Sequence, residues 1–251
     1  MHADQATLAR VFGALIPLQP VAWTDAGLLC APHSAPEVAP AAIAACPLPV
    51  SAAPTPRLWP DSPCALLAGW YRRSDHHAPA PPGVRELVQT GGGGFGPGDH
   101  PTTAMCLAAL DHLPPGDAVD AGCGSGLLAQ AWVRLGRGRV LAIDLDHAAV
   151  AQTRASAALA GVGALVEARR QAIETCPFED LAGKTLLANL PAAGHDALLR
   201  RLTVAPAAAV VSGLRPGEAG SVVDRYRRLG MRRVRSARGG RFECHVLVGA
   251  R

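Results

Sequence analysis

From residue 118 onward the sequence alternates apolar runs of strand length with stretches of helical period. The spacing predicts strands at AVDAG (118–122), RVLAID (139–144), 164–168, 185–189 and 207–214. Between them it predicts helices over 127–135, 148–160, 193–202 and 218–229. Such alternation folds into a parallel sheet with helices on both faces, because each helix carries the chain back to start the next strand in the same direction. Two closing strands, 232–236 and 242–248, follow with no helix between them, which predicts an antiparallel strand at one edge. The expected class is therefore α/β, a mostly parallel sheet with one antiparallel edge strand.

The first ninety residues obey no such rhythm. They hold 14 of the 22 prolines and only four glycines. Proline removes a backbone donor and breaks helix interiors and central strands, so a stretch such as 31–63 cannot be a long regular element. Short pieces are predicted: a helix over 6–15, a strand over 22–30 and a further element over 65–72. Two parts are expected, a proline-rich region 1–90 serving substrate recognition and linkage, and a catalytic domain 91–251. No stretch reaches the roughly 18 uninterrupted apolar residues of a membrane span, and the N-terminus lacks the pattern of a secretory signal. A cytoplasmic protein with no membrane association is the expectation. Seven scattered cysteines without a C-x-x-C signal neither a disulfide framework nor zinc, and no metal site is expected.

The chemistry gathers around AVDAGCGSGLLAQ. Gly122, Gly124 and Gly126 allow a sharp turn between strand and helix and a close backbone approach to a ligand, which the unsatisfied N–H groups of the helix's first turn then meet. The next strand ends RVLAIDLD, placing Asp144 beside the same crevice, where a carboxylate can accept both hydrogen bonds of a ribose diol. A dinucleotide fingerprint requires G-x-G-x-x-G, but the third glycine here falls one position early. The spacing G-x-G-x-G favours S-adenosyl-L-methionine over NAD.

Two further segments point at this crevice. Upstream lies GGGGFGPGDHPTTAM, where Phe95 is placed to cover a cofactor and Thr103 to offer it a hydroxyl. His100 is a base by residue type, and equally a histidine that fixes its loop. Downstream, TLLANLP puts Asn189 at the carboxyl end of a strand predicted beside the first, where its amide oxygen can accept from an amine and aim the nitrogen lone pair.

Together these segments resemble the class I S-adenosylmethionine-dependent methyltransferases, and within them the PrmA family of ribosomal protein L eleven methyltransferases. FGPGDHPTT, DAGCGSGLLA, AIDLD, ANL and VVSGL (210–214) match that family's motifs in order from about Gly94. The resemblance implies a Rossmann-like methyltransferase sheet, S-adenosyl-L-methionine as cofactor and methylation of a protein amine, a lysine or an N-terminus. It assigns Thr103, Gly122, Asp144 and Asn189 to cofactor contact, and Phe95, Gly96, Gly98 and His100 to a lid-like segment. Residues 1–90 do not read as the compact α/β domain with which family members grip the ribosomal protein. The alternatives are a different protein or small-molecule acceptor, or a cofactor-binding interaction module without activity.

The net charge of +4 is unevenly spread. Residues 215–251 hold ten arginines against Glu218, Asp224 and Glu243. A solvated helix face is the ordinary explanation of such a cluster, and contact with an acidic protein or RNA the other.

Overall fold

The structure is a computed structural model. It describes residues 18–24, 27–32, 50–52, 64–65, 70–74, 77, 80, 84–90, 100–176 and 181–249, with side chains from Trp70 onward. The chain divides into two compact units, Met1–Cys64 and Ala65–Arg251.

In the first unit β1 (Leu18–Thr24) pairs antiparallel with β2 (Gly27–Pro32), and β2 pairs parallel with β3 (Val50–Ala52). The single strand expected over 22–30 is thus corrected to parts of two antiparallel strands, with Thr24 paired to Gly27. Asp25 and Gly27, inside that span, are turn-forming residue types. The pairing of β1 shifts register between Pro20 and Ala22, where proline has no N–H to give the ladder. The helix expected over 6–15 lies outside the described residues.

A two-residue strand, β4 (Cys64–Ala65), stands at the division. In the second unit β5 (Trp70–Ser74) and β6 (Arg85–Gln89) form a parallel pair, so the element expected over 65–72 is a strand that starts later, at Trp70. The remaining elements are α1 (Pro101–Leu110), β7 (Ala118–Ala121), α2 (Leu127–Arg134), β8 (Val140–Asp144), α3 (His147–Leu159) and β9 (Val166–Arg170). Then come β10 (Thr185–Asn189), α4 (Ala192–Arg201), β11 (Ala208–Leu214), α5 (Pro216–Arg228), β12 (Met231–Gly239) and β13 (Phe242–Gly249). Each strand and helix predicted from residue 118 onward is present, with ends shifted by a few residues.

Seven strands make the main sheet in the order β12-β13-β11-β10-β7-β8-β9. The five from β11 to β9 run parallel; β13 is antiparallel to β11, and β12 lies outside it as the edge. The central strands are buried on both faces, which is why they read as unbroken apolar runs. Leu187, Val210 and Val246 face a core with Leu107 of α1, Trp132 of α2 and Val150 of α3. Leu186, Ala209, Val211 and Leu247 face the other, with Leu198 of α4 and Val222 and Tyr226 of α5. Each fully buried Leu or Val adds roughly 1.5–3 kcal/mol. The outer backbone groups of β6 are met by side chains of the helices beside it: the Val88 N–H donates to Gln130 Oε1 (3.2 Å), and the Thr90 carbonyl accepts from Gln152 Nε2 (2.8 Å). A buried strand edge is thereby satisfied without another strand.

Candidate functional site

The order of the sheet reverses direction at β7, with β8 on one side and β10 on the other. Such a switch opens a crevice at the carboxyl ends of the strands. Thr103, Asp120, Gly122, Cys123, Ser125, Leu127, Leu128 and Asn189 line a small pocket there. Three of the expected site residues, from separate parts of the sequence, therefore meet.

The glycine loop is built by backbone shape. Gly122, Gly124 and Gly126 all have positive φ, at 75°, 53° and 80°. A Cβ on Gly122 would fall 2.5 Å from Leu190 Cδ2, and one on Gly126 2.8 Å from Thr153 Oγ1, and the positive φ strains any other residue at either position. Gly126 is also the N-cap of α2 and supplies no capping side chain; of the first-turn N–H groups, that of Ala129 is met by Asp120. Cys123 is buried within the turn, and burial pushes its thiol pKa well up, so it stays a protonated space-filling side chain.

Asp144 ends β8, and both its oxygens are anchored. Oδ2 accepts from the Gly124 N–H and Oδ1 from the Asp146 N–H, each at 2.9 Å. A carboxylate offers about four acceptor positions, so capacity for a diol remains while the orientation is already fixed.

Asp120 was not marked by the sequence reading. It sits within β7, 1% exposed, with Oδ2 lacking a hydrogen-bond partner among the described residues. Burial raises its pKa to about 7, offset in part by the Ala129 backbone N–H, with the Asp144 charge pushing the same way as burial. Thr103 Oγ1, on α1, is the second buried polar atom of the pocket without a partner. A buried carboxyl and hydroxyl left unpaired cost several kcal/mol unless something pairs them, which marks a place shaped for a polar ligand. The available signal was a charged residue inside a four-residue run otherwise wholly apolar.

His100 caps α1. Its Nδ1 lies 2.7 Å from Thr102 Oγ1 and accepts from the Thr102 N–H, while its ring packs edge-on against Phe242 at 4.8 Å between centroids. The cap holds the first turn of α1 and hence Thr103. Phe95, Gly96 and Gly98 lie outside the described residues.

Asn189 ends β10, half-buried, and its position is held from below by β11. The Ser212 carbonyl accepts from the Leu190 N–H (3.0 Å) and also from His195 Nε2 (2.9 Å). A carbonyl can only accept, so Nε2 carries the proton; Nδ1 faces the Tyr226 hydroxyl at 3.4 Å. Burial pushes the His195 pKa down to about 4, so the ring is neutral. Gly213, with φ 89°, lets this corner form: a Cβ there would stand 2.3 Å from the Leu190 carbonyl oxygen. The sequence reading placed Gly213 in a matching strand but gave it and His195 no role.

A larger cavity, of about 550 Å³, opens at the amino ends of β7 and β8, beside Arg139, Glu167 and Lys184. None of its lining residues carries a buried unpartnered polar atom. Two such atoms, Thr103 Oγ1 and Asp120 Oδ2, belong instead to residues that line the small carboxyl-end pocket.

A family model described as "Ribosomal protein L11 methyltransferase (PrmA)" matches residues 87–241. The ribosomal protein L11 methyltransferase of Geobacter metallireducens is 36% identical over 169 residues, covering 65% of this chain and 54% of that protein. That of Chromohalobacter salexigens is 36% identical over 186 residues, 70% of this chain and 60% of that one. The chain thus spans little more than half the length of these relatives. Among solved structures, a ribosomal protein L11 methylase from Lactobacillus delbrueckii subsp. bulgaricus has the same fold, with TM-score 0.61 at 20% identity over 75% of this chain and 99% of that one.

Proposed function

The chain belongs to the ribosomal protein L11 methyltransferase (PrmA) family, and from that premise we propose that it methylates a protein amine, lysine or N-terminal, with S-adenosyl-L-methionine. The observation that carries the reading is the convergence of Thr103, Asp120 and Asn189 on the glycine loop, with two buried polar atoms there awaiting a partner. When bound, the cofactor supplies a methyl carbon on a sulfonium, already joined to its leaving group.

In this proposal Asp144 holds the ribose diol, and Gly122 to Gly126 bring backbone N–H groups to the cofactor. Thr103 and Asp120 take the polar amino-acid end, and Phe95 covers the site. Asn189 accepts a hydrogen bond from the acceptor amine and aims its lone pair; orientation of this kind supplies much of the acceleration in a displacement whose leaving group is in place. The amine must be neutral to attack, which burial beside Leu127 and Leu128 favours by lowering its pKa. His100, with Nδ1 engaged at the cap, serves as a positioning residue for Thr103. The preceding region, 1–90, recognises the substrate, and a ribosomal protein acceptor would place the reaction in the cytoplasm. A second reading, methylation of a different protein or small molecule, is favoured by one observation: the family match begins only at residue 87.

Tritium transfer from labelled S-adenosylmethionine into a lysate lacking the gene, resolved by size, tests the assignment. Label on a ribosomal protein supports the first reading, label elsewhere the second, and cofactor binding without transfer rejects both. Asp144→Ala should weaken cofactor binding by about 10–100-fold, the equivalent of one charge-assisted hydrogen bond. Asn189→Ala should slow turnover by at least about tenfold while leaving cofactor affinity nearly unchanged. Normal turnover in that variant would remove Asn189 from the mechanism.

A further inference from the structure

The arginines of the C-terminal segment collect on one strand. β12 is the outermost strand of the sheet, and Arg232 through Arg238 are exposed without interruption. Register against β13 sets Arg232 opposite Val248 and Arg235 opposite Val246, on the face that packs with α1. Arg233 stands opposite Leu247 on the other face, and Arg238 opposite Glu243. Arg241 follows in the turn, exposed beside Phe242, whose ring meets His100. Of these five, Arg238 is paired with Glu243; Arg232, Arg233, Arg235 and Arg241 have no acidic partner within 4.0 Å among the described residues.

An edge strand needs some charge to keep other strands from adding to it. That need is met by charges of either sign, and acidic residues among the arginines would also gain cross-strand pairs. The single sign is therefore unexplained by edge protection. A partner that extends the sheet through ladder hydrogen bonds is disfavoured by the register shift between Arg233 and Arg235, which interrupts the regular edge. What remains is a partner recognised by charge, from both sides of a narrow ridge, with no demand on the strand's own backbone. Guanidinium forks match phosphate oxygens, and a nucleic acid strand presents one phosphate per nucleotide whatever its sequence.

We infer that the β12 edge binds the phosphate backbone of single-stranded RNA, independently of sequence, through Arg232, Arg233, Arg235 and Arg241. The choice of RNA rests on the proposed ribosomal protein acceptor, whereas the phosphate recognition rests on the edge itself. The surface ends at the β12–β13 turn, on the same side of the sheet as Asn189, since Ser212 pairs with both Asn189 and Cys244. Bound RNA would therefore lie along the flank of the molecule and reach the rim of the methyl-transfer pocket.

Fluorescence anisotropy of the full chain with labelled oligouridylate tests this. Four phosphate contacts predict that log affinity falls with log salt at a slope of about −3. The triple variant Arg232→Gln, Arg233→Gln, Arg235→Gln should lose about tenfold or more in affinity and about 2 in slope. The charge-reduced control Arg200→Gln, Arg201→Gln, exposed at the end of α4, should keep the parent slope. Unchanged cofactor affinity in the triple variant shows that its fold and cofactor pocket are intact, so that a failure here is distinct from failure of the methyltransferase reading. Equal RNA binding by parent and triple variant overturns the inference. So does polyglutamate that binds the parent as tightly as oligouridylate and is lost in the same variant, which would assign the edge to an acidic protein.

Discussion

Burial leaves the Asp120 carboxyl with a pKa of about 7, so near neutral pH the fold holds it in both states. In an unfolded chain the same group ionises near 4. Its contribution to stability is therefore fully present below about pH 4 and lost as pH rises through about 7, a difference of order 4 kcal/mol. A cation bound beside it reverses this cost, because the charged carboxylate then has a partner. If Asp120 meets the ammonium end of the cofactor, calorimetric affinity should rise by roughly tenfold between about pH 5.5 and about pH 7.5. Asp120→Asn should flatten that rise; a variant with the parent profile would separate Asp120 from the cofactor. Asp144 stands out in the sequence because it ends the strand that follows the glycine loop, beside the same crevice. Asp120 does not, because a strand-interior residue is read for its contribution to the apolar period. Its meaning comes only from the oxygen left unpartnered once β10 and α1 close over it.

At the level of elements, the corner between β10 and β11 shows how position is handed from one strand to the next. The Ser212 carbonyl holds Leu190 and His195 together, and only a glycine at 213 lets the two backbones approach. Gly213→Ala should destabilise the protein by about 2 kcal/mol or more, through the positive φ and the contact with the Leu190 oxygen. Turnover should fall further than cofactor affinity, because the displaced segment begins at Asn189. Gly220→Ala, in the exposed middle of α5 with open space around it, should instead stabilise by about 0.5–1 kcal/mol. Opposite shifts in the midpoint of chemical denaturation would verify the pair, and equal shifts would refute it. The elements of the seven-stranded sheet were legible because each is long and one-sided or fully buried in its pattern. Residues 22–30 read as one strand because apolar residues stand on both sides of Asp25, and no period survives over so few residues. The corner at Gly213 was hidden for a different reason: a glycine in a strand announces a bulge or a close approach without saying what approaches.

Across the whole molecule, the compact units divide at residue 64, whereas the change in proline and glycine content falls near residue 90. Removing residues 1–64 should leave Ala65–Arg251 folded, with a cooperative thermal transition and cofactor affinity within about threefold of the parent. Methylation of a protein acceptor should be lost if the preceding region recognises it. Retention of full activity would move recognition onto the catalytic unit. The order of the strands in the sheet also has a consequence in time. β7 lies inside the sheet, yet its two neighbours arrive separately: β8 almost at once, β10 only after roughly sixty further residues. β11 likewise waits for β13, the last strand, on its outer side. Pairings so distant along the chain must close large loops before any hydrogen bond rewards them, so this unit belongs among slow folders. Until the last hairpin docks, the apolar edge of β11 stays open, and that interval is when a newly made chain is most exposed to self-association.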